Sequence, residues 1–383
     1  MGRHETMRDR GVRIVAGAAA ASMAALAALT PVAAASATPK ALAPVPGLGP
    51  VDTVDNPAEA TAPAGPVRLE RRVLPELDVA GRGVRSRLVP GDLSDGSLLL
   101  ERGRFRSLPD VPGALVTTHL RNNNRGQTVG AYGELGPDGA PRSRGFLMRG
   151  RDVTRIDVPG ALVTLPLGIN DRNQVVGSWV GRDATVNPAT GELNPGHGFV
   201  WDRGQVRTFD VPGATNTAAY EINNRGQIVG NYTDGNGVQH GYVLRNGKVA
   251  SIDHPRASKT PNLTGTRVVG IDDRGRIVGG YGDDAGSIHA WAWTDGRFTD
   301  VAPPGGLQAE ASEIDNRGRI IGRYLDAMPK LRSFRLERGR YTRIDVPGRC
   351  DTAAFGINER DQIVIASAGT TDGTTCPSPG GDT

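Results

Sequence analysis

The sequence has 383 residues, of which 53 are glycine and 22% are charged, and its formal net charge is +4 at pH 7. Glycine is at about twice its usual share. No stretch after residue 40 keeps apolar residues at helical spacing for three turns, which excludes long helices. The small positive excess in a nearly balanced chain does not support nucleic-acid binding through bulk charge.

The first 37 residues have the features of an export signal. Four arginines between positions 3 and 13 precede an Ala-rich apolar stretch at 14–29, and Ala35-Ser36-Ala37 supplies a small-x-small cleavage pattern. We expect cleavage before Thr38, which gives a secreted protein with no stable membrane anchor. Cleavage would remove four arginines and two acids and lower the net charge to +2. An uncleaved membrane anchor is the alternative interpretation.

The rest of the chain divides into four parts by composition and repetition. Residues 38–66 are rich in Pro and Ala and predict a disordered linker. Residues 67–81 match 334–348 and form half of a repeat. Six full units follow from Ser97 to about Gly369, so the repeat domain is expected to cover 67–369, with a polar tail at 370–383.

Each of the six units contains a turn of the form Asn/Asp-x-Arg, followed by Gln or Arg and a Val/Ile-rich run. The turns are spaced by 47, 53, 49, 43 and 43 residues. A period of about 40–50 residues is typical of propellers and solenoids. The first residues of the six turns are Asn123, Asn170, Asn223, Asp272, Asp315 and Asn358.

Four short strands are predicted within each unit. In the third unit they are 199–201, 206–211, 219–222 and 227–232, and the two hairpins together predict one four-stranded antiparallel sheet. Six such sheets around an axis make an all-β, six-bladed propeller. The half-repeat at 67–81 either completes the ring by pairing with the last unit or seeds a partial seventh blade. An open β-array is the alternative.

The chain has two cysteines, Cys350 in the last unit and Cys376 in the tail. An even number of cysteines in an exported chain indicates a disulfide, which would join the tail to the last unit. Two free thiols are the alternative.

The repeats resemble a known bacterial family. The run from Gly168 to Gly177, with Asn170 and Gln174, is similar to the Gly-Ile-Asn…Gly-Gln-Val-Val-Gly core of the HAF extracellular repeats. The His-Ala-Phe element of that family corresponds to the runs that begin at His197, His240 and His289, whereas two other units have Arg in place of His. The resemblance covers about 270 residues. It implies an exported repeat protein of β architecture and implies no reaction.

The turn arginines are the first candidate binding residues. In a ring they would project from one rim, where six guanidinium groups could bind carboxylates, sulfates or phosphates. Arginine is also an ordinary soluble turn residue, and three neighbouring acids would weaken the field. The six residues are Arg125, Arg172, Arg225, Arg274, Arg317 and Arg360.

Two further sets of residues recur at equivalent positions. The Asn or Asp that begins each turn is expected to cap its own turn backbone. His197, His240 and His289 are weak candidates for a transition-metal site if their positions lie near the axis. Otherwise each would hydrogen-bond to a neighbouring blade.

No motif of a nucleophile, a metalloprotease or a phosphate-binding loop is present in the sequence, and it predicts no cofactor. We therefore expect a non-catalytic binding or structural protein that recognises a cell-wall or extracellular polysaccharide, or another exported protein. The alternative function is a propeller enzyme, a glycoside hydrolase or lyase, with acids in the central channel. A cluster of buried carboxylates at the mouth of the channel would favour the enzyme, and an uncharged or closed channel would favour the binding protein.

Overall fold

The computed structural model describes residues 52–54, 96–186, 193–327, 330–347, 349 and 351–368. These residues form 25 strands and no helix. The strands before the first complete blade are β1 (Asp52–Val54), β2 (Ser97–Glu101) and β3 (Arg104–Ser107). Those of blades 1 and 2 are β4 (Val116–Asn122), β5 (Gln127–Leu135), β6 (Pro141–Arg149), β7 (Asp152–Ile156), β8 (Val163–Ile169), β9 (Val175–Val186), β10 (Leu193–Asp202) and β11 (Gln205–Phe209).

The remaining strands continue the same pattern. Blade 3 contains β12 (Asn216–Ile222), β13 (Ile228–Thr233), β14 (Gln239–Arg245) and β15 (Lys248–Ile252). Blade 4 contains β16 (Thr266–Ile271), β17 (Ile277–Gly282), β18 (Ile288–Thr294) and β19 (Arg297–Asp300). Blade 5 contains β20 (Gln308–Ile314), β21 (Ile320–Leu325), β22 (Leu331–Glu337) and β23 (Arg340–Ile344). The last two strands are β24 (Asp351–Ile357) and β25 (Ile363–Ala368).

The strands pair into six antiparallel four-stranded sheets, which confirms the predicted six-bladed propeller. Blades 1 to 5 each use four consecutive strands. Blade 6 has the order β24-β25-β2-β3, so strands from the two ends of the repeat region share one sheet. A single parallel bridge between Ser143 and Val163 joins blades 1 and 2.

Ring closure differs from the expectation for the half-repeat at 67–81. The edge of β25 pairs with β2, with Leu99 opposite Val364, so the first full unit supplies the closing strands. Residues 67–81 lie outside the described residues. The predicted linker also contains a strand, because β1 pairs in parallel with the outer edge of blade 3, with Thr53 opposite Val249. Cys350 and Cys376 lie outside the described residues, so the disulfide stays a prediction.

The predicted grouping of strands into blades was wrong, because each four-strand unit of the sequence is offset by two strands from a blade of the structure. In the third unit, β10 and β11 complete blade 2, whereas β12 and β13 begin blade 3. The loop that contains Pro212 and Gly213 therefore crosses from one sheet to the next. The loop after Thr233 joins β13 to β14 and is the middle one of the three hairpins in blade 3. The backbone N–H groups of Asn236 and Val238 donate to Asp234 in this loop.

The core lies between neighbouring blades. Tyr242 and Phe199, both fully buried, occupy equivalent positions in the third strands of blades 3 and 2. The cluster around Tyr242 joins Phe209 and Val211 of blade 2 to Ile222 and other residues of blade 3. Stacking around the ring thus buries the faces that a single sheet would leave exposed.

Candidate functional site

The two ends of the propeller carry different connections. Because the strands of each blade are antiparallel, the turns between the first and second strands and between the third and fourth strands lie at the same end. We call this end the turn face. The opposite end carries the hairpins between the second and third strands and the loops that cross to the next blade, and we call it the loop face.

The first residue of each turn on the turn face organises its own backbone, as predicted. Asn170 Oδ1 accepts hydrogen bonds of 3.0 Å from the backbone N–H groups of Arg172 and Gln174. Its Nδ2 donates to Gln174 Oε1 and to the Asn223 carbonyl oxygen of the next blade. The same two backbone bonds occur in all six turns, with the acceptors Asn123, Asn170, Asn223, Asp272, Asp315 and Asn358.

Blades 4 and 5 use a charged version of the same arrangement. Asp272 replaces the asparagine and pairs with Arg276 at 2.6 Å, and Asp315 pairs with Arg319 in the same way. Aspartate has no side-chain N–H, so blades 4 and 5 lack the asparagine donor that bonds to the next blade. Arginine supplies it instead, since Arg319 donates to the Asn358 carbonyl oxygen at 3.0 Å.

The second residues of the six turns form a closed ring of hydrogen bonds. Asparagines of blades 1, 3 and 5 alternate with acids of blades 2, 4 and 6, and each backbone N–H donates to the side chain of the following blade. The ring consists of Asn124, Asp171, Asn224, Asp273, Asn316 and Glu359. It surrounds the mouth of a depression on the propeller axis.

A charged cluster forms the floor of this depression. Arg121 of blade 1 contacts Glu221 of blade 3 at 3.2 Å and Glu313 of blade 5 at 2.7 Å. All three side chains are at least 93% buried. Burial raises the pKa of Glu313 well above its ordinary value, and the adjacent Glu221 carboxyl raises it further. Burial also raises the pKa of Glu221, although Arg121 opposes that shift.

Glycines in the alternate blades make room for this cluster. A Cβ on Gly168 would lie 2.7 Å from the Glu221 Cα and 2.7 Å from the Tyr220 carbonyl oxygen. Gly270 has the same relation to Glu313, and Gly356 to Arg121. Long charged side chains and glycines thus alternate around the axis at one position of the innermost strand.

Apolar side chains fill the inner strands on the loop-face side of the charged cluster. Leu120, Leu165, Leu167, Ala353 and Phe355 come from blades 1, 2 and 6 and form one buried cluster. On the side of blades 4 and 5, buried Glu310 forms ion pairs with Arg267 and Arg323. These contacts close the channel below the depression.

All six predicted turn arginines lie on the turn face with exposed side chains. The turns between the third and fourth strands add further exposed cations around them, and every blade contributes at least one. These outer cations are Arg102, Arg104, Arg149, Arg151, Arg203, Arg245, Lys248, Arg297, Arg338 and Arg340. The sequence analysis did not predict these outer cations, because it did not place the two hairpin turns of each blade on the same face.

The three candidate histidines do not converge on the axis. Each lies at the loop-face end of a third strand and stacks on an aromatic residue directly opposite, as His240 does on Tyr232 at a ring separation of 5.0 Å. Each also bonds to an aspartate of its own blade rather than of a neighbouring blade. Hydrogen bonds to Asp210 and Asp253 raise the pKa values of His197 and His240 respectively. No group of three His, Cys, Asp or Glu side chains in the described part of the chain is placed to hold a metal ion.

The same loop-face position is occupied by arginine in blades 1 and 5. Arg144 lies opposite Tyr132 and pairs with Glu134 and Asp157. Five blades therefore carry an aromatic side chain opposite a cationic or titratable one. These side chains satisfy one another, so we assign them to the structure of the blades.

The fold defines this protein as a six-bladed β-propeller, with a basic turn face around a closed axis. No family model and no curated protein sequence matches the chain. Among solved structures, it is similar to AofleA from Arthrobotrys oligospora, with 12% identity and a TM-score of 0.42 over 76% of this chain and 87% of that one. It is also similar to the six-bladed propeller lectin of Aleuria aurantia, with 10% identity, a TM-score of 0.39 and coverage of 60% and 77%.

A third similar structure is the β-propeller domain of the Trilobed protease from Pyrococcus furiosus, with 11% identity, a TM-score of 0.43 and coverage of 64% and 75%.

The residues that the structure describes include no helical segment with the length and apolarity needed to cross a membrane.

Proposed function

We propose that this protein is an exported, non-catalytic binding protein whose turn face recognises an acidic extracellular polysaccharide. The observation that carries the proposal is the concentration of exposed cations on this one face. Six turn arginines surround the axis, and ten further cations surround them in the outer turns. Guanidinium groups bind carboxylates and sulfates in a bidentate manner, and a repeated array suits a repeating ligand.

Acids on the same face reduce this positive field, and they include the exposed Asp152 and Asp295 of the outer turns. Asp171 and Asp273 each accept three N–H groups from the asparagines of the ring, so their charge is directed inward to structural partners. Glu359 lies 3.7 Å from the guanidinium of Arg317, which weakens that one position.

Buried carboxyl groups line the axial depression, as the enzyme alternative predicts, but their arrangement favours a non-catalytic role. Glycosidases need two carboxyl groups separated by about 5 Å or more, with space for a sugar or water between them. Glu221 and Glu313 instead share Arg121, and all three side chains are buried. The channel beneath them is filled, so a glycan chain has no path through the axis.

Export is part of this proposal and depends on the signal-like residues 1–37 and the resemblance to the HAF extracellular repeats. An acidic extracellular polysaccharide is the ligand that fits both the proposed export of the protein and the positive charge of the turn face. An acidic exported protein is the alternative ligand that the binding test distinguishes.

The test is retention on immobilised polygalacturonate and dextran sulfate, with uncharged dextran as the reference. We expect retention on both polyanions at low salt and release as NaCl rises from about 50 to about 300 mM, because salt screens exposed charges. Equal retention on uncharged dextran, or salt-independent retention, would contradict the proposal. Retention of an acidic exported protein but neither polyanion would assign the face to a protein partner.

Matched double variants separate the turn face from general charge. Arg225→Gln with Arg274→Gln removes two cations from the turn face, and Arg182→Gln with Lys259→Gln removes two exposed cations from the loop face. We expect the first variant to lose at least tenfold in affinity for polygalacturonate and the second to change it less than threefold. Equal losses would show that the binding surface is not the turn face.

A further inference from the structure

The outer strand of blade 3 differs from the outer strands of the other five blades. Each of those five strands has a charged residue at its third or fourth position, and charged side chains on an edge strand discourage pairing with a further strand. β15 has Ala250 and Ser251 at these two positions, so its edge lacks this protection. The charged residues of the other blades are Arg106 in β3, Arg155 in β7, Arg207 in β11, Asp300 in β19 and Arg343 in β23.

Neither small side chain obstructs the edge of β15. Both residues are partly buried, and Ala250 extends no further than its methyl group. The hydroxyl of Ser251 lies 2.9 Å from the Tyr232 hydroxyl, so it is engaged within its own blade. An approaching strand would therefore meet the backbone of β15 rather than long side chains.

The backbone of β15 presents alternate residues to this edge. Asn246 and Gly247, both with positive φ, form the two-residue turn that joins β14 to Lys248. The residues that close such a turn exchange hydrogen bonds with each other, and the pattern then alternates along the strand. Val249 and Ser251 therefore direct their N–H and C=O groups away from β14, toward the outside of the blade.

This edge already accepts a strand of its own chain, and that strand fills only part of it. β1 pairs in parallel with β15, with Asp52 opposite Lys248 and Val54 opposite Ala250. The pairing covers three of the five residues of β15. Ser251 lies beyond it, and no strand in the described part of the chain pairs with Ser251 on this side.

We propose that the outer edge of blade 3 binds an extended segment of a partner polypeptide by parallel strand addition, with β1 as a built-in competitor. A segment of five or more residues would pair along all of β15 and form more main-chain hydrogen bonds than β1 does, and such bonds supply the affinity in strand addition. Exposed Lys248 favours an acidic residue at the first paired position. The small residues of β15 favour uncharged β-branched residues after it.

The edge lies on the circumference of the propeller, between the turn face and the loop face. A strand bound there leaves both faces free, so the inference goes beyond the proposed function and does not depend on it. Binding of a peptide at this edge and retention on polyanions at the turn face are separate measurements, and either proposal can fail alone.

The test is fluorescence anisotropy of a labelled synthetic peptide, Val-Asp-Thr-Val-Thr-Val, titrated with the purified protein. Its first four residues repeat positions 51–54, and its last two are β-branched. The control peptide, Val-Asp-Thr-Pro-Thr-Val, has the same charge but lacks one backbone N–H and cannot continue a paired strand. We expect saturable binding of the first peptide and at least tenfold weaker binding of the second. Equal binding of the two peptides would overturn the proposal.

Two matched variants locate the binding edge. Ala250→Arg gives β15 the charge that Arg207 carries at the same position in blade 2, and it should weaken peptide binding at least tenfold. Thr154→Arg makes the equivalent change on β7, the outer strand of blade 1, and should leave the affinity within twofold. Equal effects of the two substitutions would exclude the edge of blade 3.

Removal of the competing strand should strengthen peptide binding. Replacement of Asp52, Thr53 and Val54 by proline removes the N–H groups of β1, and we expect the affinity to rise about fivefold or more, because the edge is then free in every molecule. Amide hydrogen exchange at Ser251 reports occupancy directly, since its N–H faces the edge and should exchange more slowly when the peptide is bound. No binding of the peptide to this variant, or unchanged exchange at Ser251, would overturn the proposal.

Discussion

Arg121 and Glu313 lie 192 positions apart in the chain and meet on the propeller axis at 2.7 Å, where both side chains are buried. Arg121 also contacts Glu221, so one guanidinium holds blades 1, 3 and 5 together at their centre. A removed partner would leave buried charge uncompensated, which costs far more than the loss of an exposed ion pair.

Arg121→Ala should therefore lower the free energy of unfolding by about 3–5 kcal/mol, because two buried carboxyl groups lose their shared cation. Urea denaturation measures the effect. Arg125→Ala, four positions later and exposed, is the control and should change stability by no more than about 0.5 kcal/mol. Similar changes in the two variants would show that the axial cluster contributes little.

The raised pKa of Glu313 predicts a loss of stability at higher pH. The folded state holds the Glu313 proton more tightly than the unfolded chain, in which glutamates titrate near about pH 4.3. The stabilisation is complete below that pH and decreases as the pH rises through the folded pKa. Between pH 4.5 and 8, the wild type should therefore lose stability relative to Glu313→Gln.

Urea unfolding of the wild type and of Glu313→Gln across this pH range gives the difference directly, and the histidines common to both proteins cancel. Parallel pH profiles would contradict the raised pKa of Glu313.

Gly168→Ala should destabilise the protein by about 1–3 kcal/mol, because the added Cβ meets the backbone of Tyr220 and Glu221 in the next blade. Thermal or urea unfolding would measure this loss. Gly235→Ala on the loop face is the matched control, since nothing lies within 4 Å of its added Cβ. A destabilisation no larger than that of the control would mean that neighbouring blades can separate at the axis without cost.

The two versions of the turn predict strong coupling between Asp272 and Arg276. Asp272→Asn alone and Arg276→Gln alone should each cost about 1–3 kcal/mol, since each leaves a charged side chain without its partner. The double variant recreates the Asn/Gln pair of the other blades and should recover more than about 1 kcal/mol of the summed loss. Additive effects in a double-mutant cycle would show that the pair is not a unit.

The fold was largely predictable because its signals are local. Each turn of the type that begins at Asn223 predicts one hairpin. Six such turns at a period of about 45 residues indicate six blades. The assignment of hairpins to blades was not local, since β10–β11 and β12–β13 form good hairpins in either grouping. Only the crossing at Pro212 and Gly213 decides between the two.

The axial site required contacts between distant residues, and no single repeat shows them. One signal was present, however. Aligned copies of the innermost strand alternate charged residues with glycine, and Asn122 interrupts a column of isoleucines. The exposed arginines were predictable from their turns, whereas the floor that they surround was not.

The shared sheet of blade 6 also determines when the molecule can be complete. β2 and β3 pair with each other, but β2 also pairs with β25, more than 250 residues later. Until the last unit has been synthesised, β2 and β3 have no further strand to pair with, and blade 5 has a neighbour only on the side of blade 4. The ring can therefore close only in a chain that extends through β25, so closure distinguishes such chains from those that stop earlier.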